Sequence, residues 1–166
     1  MKSNSITIRK VNYDRKNECR IFQTCLKNWF SDPKALHLTE PKLRYPFDFE
    51  KWMKLFYSRE KETWVLLKND WITACISFRY CSGEKNGQLL HIFVDKDYRR
   101  NGYGKKLIFH TQDRLKELRC SHVTMKIHSS NKSAIHFFHS VGFQMKSTKT
   151  NKPILMEKFL KRETNK

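Results

Sequence analysis

Alternating and helical patterns of apolar residues organise the first third of the chain. Residues 5–11 alternate between polar and apolar side chains, as expected of a β-strand. Apolar residues then recur at helical spacing over residues 19–30 and 49–56, which predicts two amphipathic helices. Asp14 and Asp48 each precede one of these stretches and are suitable N-cap residues.

The segment between the two helices breaks this regularity. Residues 31–46 contain three prolines and no sustained period, which indicates a loop or a broken helical segment. After the second helix, residues 63–68 and 71–78 have the apolar and β-branched composition of strands. Asn69 and Asp70 stand between them, so we predict a β-hairpin with a two-residue turn.

The second half of the chain alternates strands with helices. A polar turn at residues 82–87 precedes a short apolar run, 89–94, typical of a buried strand. A helix is predicted from about Gly104, a strand over 122–128 and a short helix from Asn131. Residues 143–159 read as two closing strands with a turn around 151–153, and the whole order predicts a mixed α/β sheet.

Residues 94–107 form the most informative stretch, a strand end followed by a basic turn and a helix. Gly102 and Gly104 let the backbone approach a ligand closely, and the first N–H groups of the helix point into the same space. Four cations surround the turn: Arg99, Arg100, Lys105 and Lys106. This pattern favours a phosphate or pyrophosphate ligand, although an ordinary strand-to-helix turn with solvated basic residues explains it as well.

Length and hydropathy exclude several classes of protein. The chain has 166 residues, enough for one domain with a substantial core. It contains no long apolar stretch, and its N-terminus lacks the apolar segment of a signal peptide. We therefore expect a soluble, cytoplasmic protein with a single domain over residues 1–166 and no association with membranes.

The five cysteines carry little functional information. They form no Cys-x-x-Cys pair and their number is odd, so neither a zinc site nor a disulfide framework is indicated. We expect buried or half-buried free thiols and no bound metal.

The chain is strongly basic. Lys and Arg number 34 and Asp and Glu 16, which gives +18 at pH 7. Such a field attracts anions in general. A solvated lysine-rich surface explains it, as do an anionic cofactor, an acidic acceptor or nucleic acid. Because no nucleic-acid recognition motif accompanies the charge, nucleic acid is the least supported of these partners.

Two motifs resemble those of a known family. Arg99-x-x-Gly102-x-Gly104, after a strand that ends in Val-Asp-x-Asp-Tyr, resembles the acetyl-CoA loop of the GNAT superfamily of N-acetyltransferases. The run that begins at Asn131 and ends in Gly142-Phe143 resembles the second signature of that family. The resemblance is close over residues 88–143 and diffuse before them.

The resemblance implies a fold, a reaction and a cosubstrate. The fold is a mixed, mostly antiparallel sheet flanked by helices, here as one GNAT domain over residues 1–166. The reaction moves an acetyl group from acetyl-CoA to a primary amine of a small molecule, a peptide or a protein. We expect acetyl-CoA and an amine acceptor as partners, and a monomer or a homodimer.

The resemblance also implies binding residues. Backbone groups on the central strand pair with the pantetheine arm: Ile92, Phe93 and Val94. The basic loop takes the pyrophosphate, chiefly through backbone amides: Arg99, Arg100, Asn101, Gly102, Tyr103, Gly104 and Lys105. Asn131 contacts the cofactor arm or, equally well, caps the following helix. Phe138 stands near the cofactor sulfur.

The chain departs from the family at the catalytic positions. Phe138 replaces the tyrosine that usually protonates the leaving thiolate, and Gln88 and Lys126 stand where the family often has a glutamate base. A histidine titrates near neutrality, so His91 on the central strand is the base that we predict, with His128 as a weaker candidate. A structural role for either histidine, or proton relay by water, remains an alternative.

Three hypotheses for function follow. The first is an acetyl-CoA-dependent N-acetyltransferase. The second is a GNAT-like module that binds acyl-CoA as a sensor or regulator with little catalysis, which the missing tyrosine and glutamate favour. The third is a nucleic-acid-binding domain, which only the net charge favours.

Overall fold

The computed structural model describes residues 5–81, 83–147 and 153–161. Within them, strands and helices alternate in an order close to the one predicted. The elements are β1 Ile6–Lys10, α1 Lys16–Trp29, α2 Pro33–Thr39, α3 Phe49–Phe56, β2 Lys61–Lys68, β3 Trp71–Cys81, β4 Asn86–Val94, α4 Tyr103–Glu117, β5 His122–Ile127, α5 Lys132–Ser140, β6 Gln144–Ser147 and β7 Ile154–Phe159. A 3₁₀ turn, Lys96–Tyr98, separates β4 from α4.

The described strands form one seven-stranded sheet with the order β1-β2-β3-β4-β5-β7-β6. β4 and β5 are parallel, with Asn86 opposite His122 and Leu89 opposite Met125. β1 with β2, β5 with β7 and β6 with β7 are antiparallel. A parallel pair needs a crossover connection, and α4 provides it between β4 and β5.

The chain divides into two compact units, and β3, β4 and α4 contribute to both. The first unit contains the described parts of residues 1–77 together with 91–107. Its core is aromatic: Trp52 is fully buried and lies 6.3 Å from the Phe22 ring and 5.8 Å from the Phe30 ring. Aromatic side chains bury large areas, so these rings fix α1 and α3 against each other.

The second unit contains residues 78–90 and the described parts of 108–166. The Phe138 and Phe143 rings pack edge to face in its core at 5.2 Å, and both are buried. The Lys158 ammonium on β7 donates to the side-chain oxygen of Gln112 on α4 and to the carbonyl of Val141 at the end of α5. One cation therefore ties three elements of this unit together.

Most predicted boundaries are confirmed, and the exceptions have local causes. Asp48 caps α3 and accepts from the N–H groups of Glu50 and Lys51, as expected. Asp14 is not the cap of α1: Arg15 occupies that place without a side-chain bond, and the Asp14 carboxylate accepts from the Tyr57 hydroxyl instead. The broken segment contains α2, which Asp32 caps.

The predictions for the hairpin turn and for the thiols have different outcomes. Asn69 and Asp70 both have positive φ, which confirms the tight hairpin turn. The predicted turn at 151–153 lies largely outside the described residues. The five thiols are free, but Cys81 is exposed, which corrects the expectation of buried or half-buried thiols. No helix in the described ranges combines the length and apolar character that a membrane crossing requires.

Candidate functional site

The turn between β4 and α4 is held by side chains of its own unit. Asp95 accepts from the N–H of Asp97 and from the Trp29 indole at 2.9 Å, while its own N–H donates to the carbonyl of Thr73. One carboxylate thus caps the 3₁₀ turn and anchors it to α1. This anchor was not predicted from the sequence, although an Asp-x-Asp pair after a strand is a recognisable cap signal.

Two predicted loop residues have structural bonds in the turn. The Arg99 guanidinium donates to the carbonyl of Val94 at 3.0 Å and lies 5.6 Å from the centre of the Phe93 ring. The Asn101 amide donates to the carbonyls of Tyr98 and Arg99, both at 3.1 Å. Both side chains therefore shape the turn through bonds within it.

The backbone at the start of α4 suits an anion. Arg100 and Gly102 have φ of 65° and 75°, in the left-handed region that favours glycine. A Cβ built on Gly102 meets no atom within 4 Å, so open space adjoins the backbone there. The carbonyl of Gly102 accepts the N–H of Lys106, which places the N-terminus of α4 beside that space. The residues present therefore fit a pyrophosphate group.

The predicted site residues on the turn and on α4 differ in exposure. Arg100 and Lys105 are exposed, Gly104 is half-buried and Tyr103 is buried at the first position of α4. A buried Tyr103 side chain fixes the helix, so only its backbone remains available to a ligand. The exposed cations add a screened attraction for phosphate.

β4 extends beyond its pairing with β5. The ladder between these strands ends at Leu89, so it does not include Ile92, Phe93 or Val94. An extended ligand can add to such a strand through backbone hydrogen bonds. This arrangement fits the pairing with a pantetheine arm that the family resemblance implies for these three residues.

His91 lies in the aromatic core of the first unit. Its ring centre is 4.6 Å from those of both Trp52 and Phe56, and the residue is 1% exposed. Neither ring nitrogen has a hydrogen-bonding partner among the described residues. Burial lowers the pKa of His91 to about 3, so the ring is neutral at physiological pH. These contacts argue for packing and against the base role, which stays an untested prediction.

The two predicted residues on the second unit, Asn131 and Phe138, both have contacts within that unit. The Asn131 side chain accepts from the N–H of Ala134 at 3.1 Å, which confirms the N-cap alternative for this residue. Phe138 is fully buried and packs against the Phe137 and Phe143 rings. Its contacts are apolar, as expected for a phenylalanine ring, which has no hydroxyl group that could donate a proton.

The positions that usually hold a base are not acidic here. Gln88 is half-buried opposite Thr124, and Lys126 is exposed opposite Leu155. His128 is exposed at the end of β5, where its Nδ1 lies 2.7 Å from the Ser130 hydroxyl. None of these three side chains carries a carboxyl group. In the described residues no three His, Cys, Asp or Glu side chains group as metal ligands would.

Comparison with known sequences assigns the family. The family model described as "Acetyltransferase (GNAT) family" matches residues 24–143. The [ribosomal protein bS18]-alanine N-acetyltransferase of Escherichia coli K12 is 27% identical over 122 residues, which cover 72% of this chain and 78% of that protein. The corresponding enzyme of Shigella flexneri matches equally well.

Comparison with solved structures gives the same fold. The ribosomal-protein-S18-alanine N-acetyltransferase from Escherichia coli superposes with a TM-score of 0.71 at 18% identity, covering 98% of this chain and 99% of that one. The PaiA N-acetyltransferase from Thermoplasma acidophilum, in complex with coenzyme A, gives 0.70 at 16% identity, with coverage of 93% and 99%. Tetrahymena GCN5 gives 0.68 at 22% identity, with coverage of 95% and 96%.

The match covers more than half of the chain and includes both sequence motifs and the turn before α4. Members of the matched family use acetyl-CoA as the acetyl donor. The mixed, mostly antiparallel sheet with flanking helices is the fold that the resemblance implied. The chain belongs to the GNAT family of acetyltransferases, and it is an acetyl-CoA-dependent N-acetyltransferase.

Proposed function

We propose that the acceptor is the free α-amino group at the N-terminus of a peptide or protein. The observation that carries this proposal is the lack of a strong base at the expected positions. Gln88 and Lys126 replace the usual carboxylates, and the His91 ring is enclosed by Trp52 and Phe56. A site without a strong base favours an amine that is already partly neutral.

The acidity of amines separates the candidate acceptors. An α-amino group has a pKa of about 7.7–8.0, whereas a lysine side chain has a pKa of about 10.4. At neutral pH a useful fraction of α-amines is therefore ready to attack a thioester, while only about one lysine in 2,500 is. Water can take the remaining proton after the attack.

The names of the sequence relatives support the same acceptor class. Those relatives are named as N-acetyltransferases of an alanine of ribosomal protein bS18. Alanine has no side-chain amine, so its acetylated nitrogen is the α-amine. Their identity of 27% supports the class of acceptor and does not extend to the particular protein.

Different segments of the chain have different roles in the proposed reaction. The backbone of Ile92, Phe93 and Val94 positions the donor, and the amides of residues 100–105 hold its pyrophosphate. In the second unit, Asn131 keeps α5 in place through its cap, and Phe138 is buried in the core. Acetyl-CoA supplies a thioester whose thiolate leaves readily and needs no strong acid. We infer that these elements act as one domain over residues 1–166.

A matched pair of peptides tests the proposal. One peptide has a free N-terminal amine and an acetylated lysine, and the other has a blocked N-terminus and a free lysine. We expect kcat/KM, measured as thiol release, to be at least about tenfold higher for the free N-terminus, since far more of its amine is neutral.

The same assay can contradict the proposed acceptor. Equal or higher activity on the free lysine would contradict an α-amine acceptor. Thiol release with neither peptide, but with small-molecule amines, would place the acceptor in another class.

A further inference from the structure

An open cavity of about 500 Å³ lies on the first unit, away from the turn before α4. Gln23 and Lys27 of α1 line one side of it. Residues 44–51, which lead into α3, line the other. The volume is large enough for one or two amino-acid side chains and too small for a folded partner.

The acidic group deepest in this lining is already compensated. Asp48 accepts from the N–H groups of Glu50 and Lys51 at 2.9 and 3.2 Å, and its carboxylate lies 3.6 Å from the Lys51 ammonium. The backbone N–H of Lys51 is the largest cause of the lowered pKa of Asp48. Asp48 is therefore ionised, and its charge is balanced by Lys51.

Two cations of the lining remain uncompensated. Lys27 and Arg44 are exposed, and neither side chain has a hydrogen bond or ion pair with another described residue. Both border the same cavity. Two neighbouring unpaired cations favour an anion between them, and a guanidinium matches a carboxylate through two parallel hydrogen bonds.

The cavity wall is connected to the central strand by aromatic contacts. The Phe47 ring is 5.3 Å from the Phe30 ring, which is 5.4 Å from the Phe93 ring on β4. Roughly three extended residues cover the length of these two contacts in a straight line. Phe30 is buried, so a peptide must pass over the surface and needs somewhat more. If the N-terminal amine lies beside β4, a residue about three to five positions downstream is the one that can reach the cavity.

We propose that this cavity binds an acidic side chain, Asp or Glu, of the acceptor peptide, about three to five residues after the acetylated amine. The inference rests on the proposed α-amine acceptor and adds its selectivity. Arg44 and Lys27 hold the carboxylate, and the exposed Tyr45 ring beside them covers the apolar part of the side chain. The Glu50 carboxylate at the rim opposes this preference.

Peptides that differ at one downstream position test the inference. Each carries a free N-terminal amine and either Glu, Gln or Lys at one of positions three to six. We expect the Glu peptide to exceed the Gln peptide in kcat/KM by about three- to tenfold at its best position, mainly through KM. The preference should shrink at high salt, because exposed charges are screened.

Charge reversal with a matched control identifies the residues. In Arg44→Glu the preference should turn toward the Lys peptide, while Glu50→Gln should increase the preference for Glu. Lys54→Glu makes the same change of charge on α3, outside the cavity lining. It should leave the order of the peptides unchanged. Equal effects of Arg44→Glu and Lys54→Glu would overturn the inference, since the field of the whole molecule would then explain them.

Calorimetry on the N-acetylated product peptides repeats the comparison without turnover. If the Glu product binds more tightly than the Gln product, and Arg44→Glu removes the difference, the cavity is supported even when no peptide is acetylated. A lack of acetylation would then count against the proposed function alone. Acetylation of free N-termini without any preference for Glu overturns the inference and leaves the proposed function intact.

Discussion

The neutral His91 ring has a measurable effect on stability. In the unfolded chain its pKa is about 6.5, and in the folded protein burial lowers it to about 3. Below pH 6.5 the unfolded state binds a proton that the folded state refuses, so stability falls as the pH falls. We expect the free energy of unfolding to decrease by about 2 kcal/mol between pH 7 and pH 5 from this residue alone.

The variant His91→Phe isolates this contribution. Urea denaturation should show a smaller loss of stability between pH 7 and pH 5 than in the wild type. At pH 7 the variant should equal or exceed the wild type in stability, because two unpaired nitrogens are removed from an aromatic core. A loss of acetyl transfer by a hundredfold or more in a folded His91→Phe protein would restore the base role.

Phe138 allows a second test of a single side chain. We expect Phe138→Tyr to fold but to lose about 1–3 kcal/mol of stability without ligand, since its new hydroxyl enters a buried environment of aromatic rings. Urea denaturation measures this loss. Unchanged stability would mean that the hydroxyl finds a polar partner, and a rise in kcat would then place it near the leaving thiolate.

At the scale of elements, the start of α4 depends on one backbone conformation. We expect Gly102→Ala to reduce the rise in melting temperature that acetyl-CoA causes, because the residue has φ of 75° and the added Cβ enters the space beside the helix terminus. Gly83→Ala is the control, since no atom lies within 4 Å of its Cβ and its φ lies outside the left-handed region that favours glycine. Equal ligand-induced shifts in the two variants would show that the pyrophosphate does not bind at this turn.

The Lys158 contacts predict a second effect between elements. We expect Lys158→Met to lower the free energy of unfolding by about 1–3 kcal/mol, because the oxygen of the buried Gln112 amide loses its donor. Lys161→Met, which changes an exposed lysine three positions later, should have little effect. A side chain at Gly142 should also destabilise this unit, since its φ is 89° and a Cβ there would lie 3.2 Å from the Lys158 ammonium.

Elements with a local signal were predicted well from the sequence. Asp48 and Asn131 cap α3 and α5, and Asn69 and Asp70 make the hairpin turn, because each of these residues acts on its immediate neighbours. The cap of α1 was predicted wrongly, since the competing partner of Asp14 is Tyr57, which is distant in sequence.

The candidate site also has features that depend on contacts between residues distant in sequence, which could not be predicted. Its loop followed from a motif within a few residues, whereas the bond between Trp29 and Asp95 joins positions far apart in the chain. The burial of His91 could not be predicted either, because it depends on the rings of α3 that pack over β4.

The net charge of +18 acts on the molecule as a whole. Without ligand we expect the melting temperature to rise by a few degrees between about 0.02 M and 0.3 M NaCl, because salt screens the repulsion among excess cations. The additional stabilisation by acetyl-CoA should decrease over the same range, since its phosphates are attracted by the same field. Thermal melts at both salt concentrations, with and without acetyl-CoA, measure both effects. A fall in the melting temperature of the free protein would show that ion pairs such as the one between Lys10 and Glu62 outweigh the repulsion.

The hydrogen bond from Trp29 to Asp95 links α1, which borders the cavity, to the turn that leads into α4. A ligand that favours one arrangement of the turn thereby favours the matching arrangement of α1, and linkage makes this influence equal in both directions. We therefore expect the two substrates to bind cooperatively, so that each raises the affinity of the other by the same factor. In Trp29→Phe this factor should fall toward one, which calorimetry of CoA with and without the N-acetylated product peptide measures.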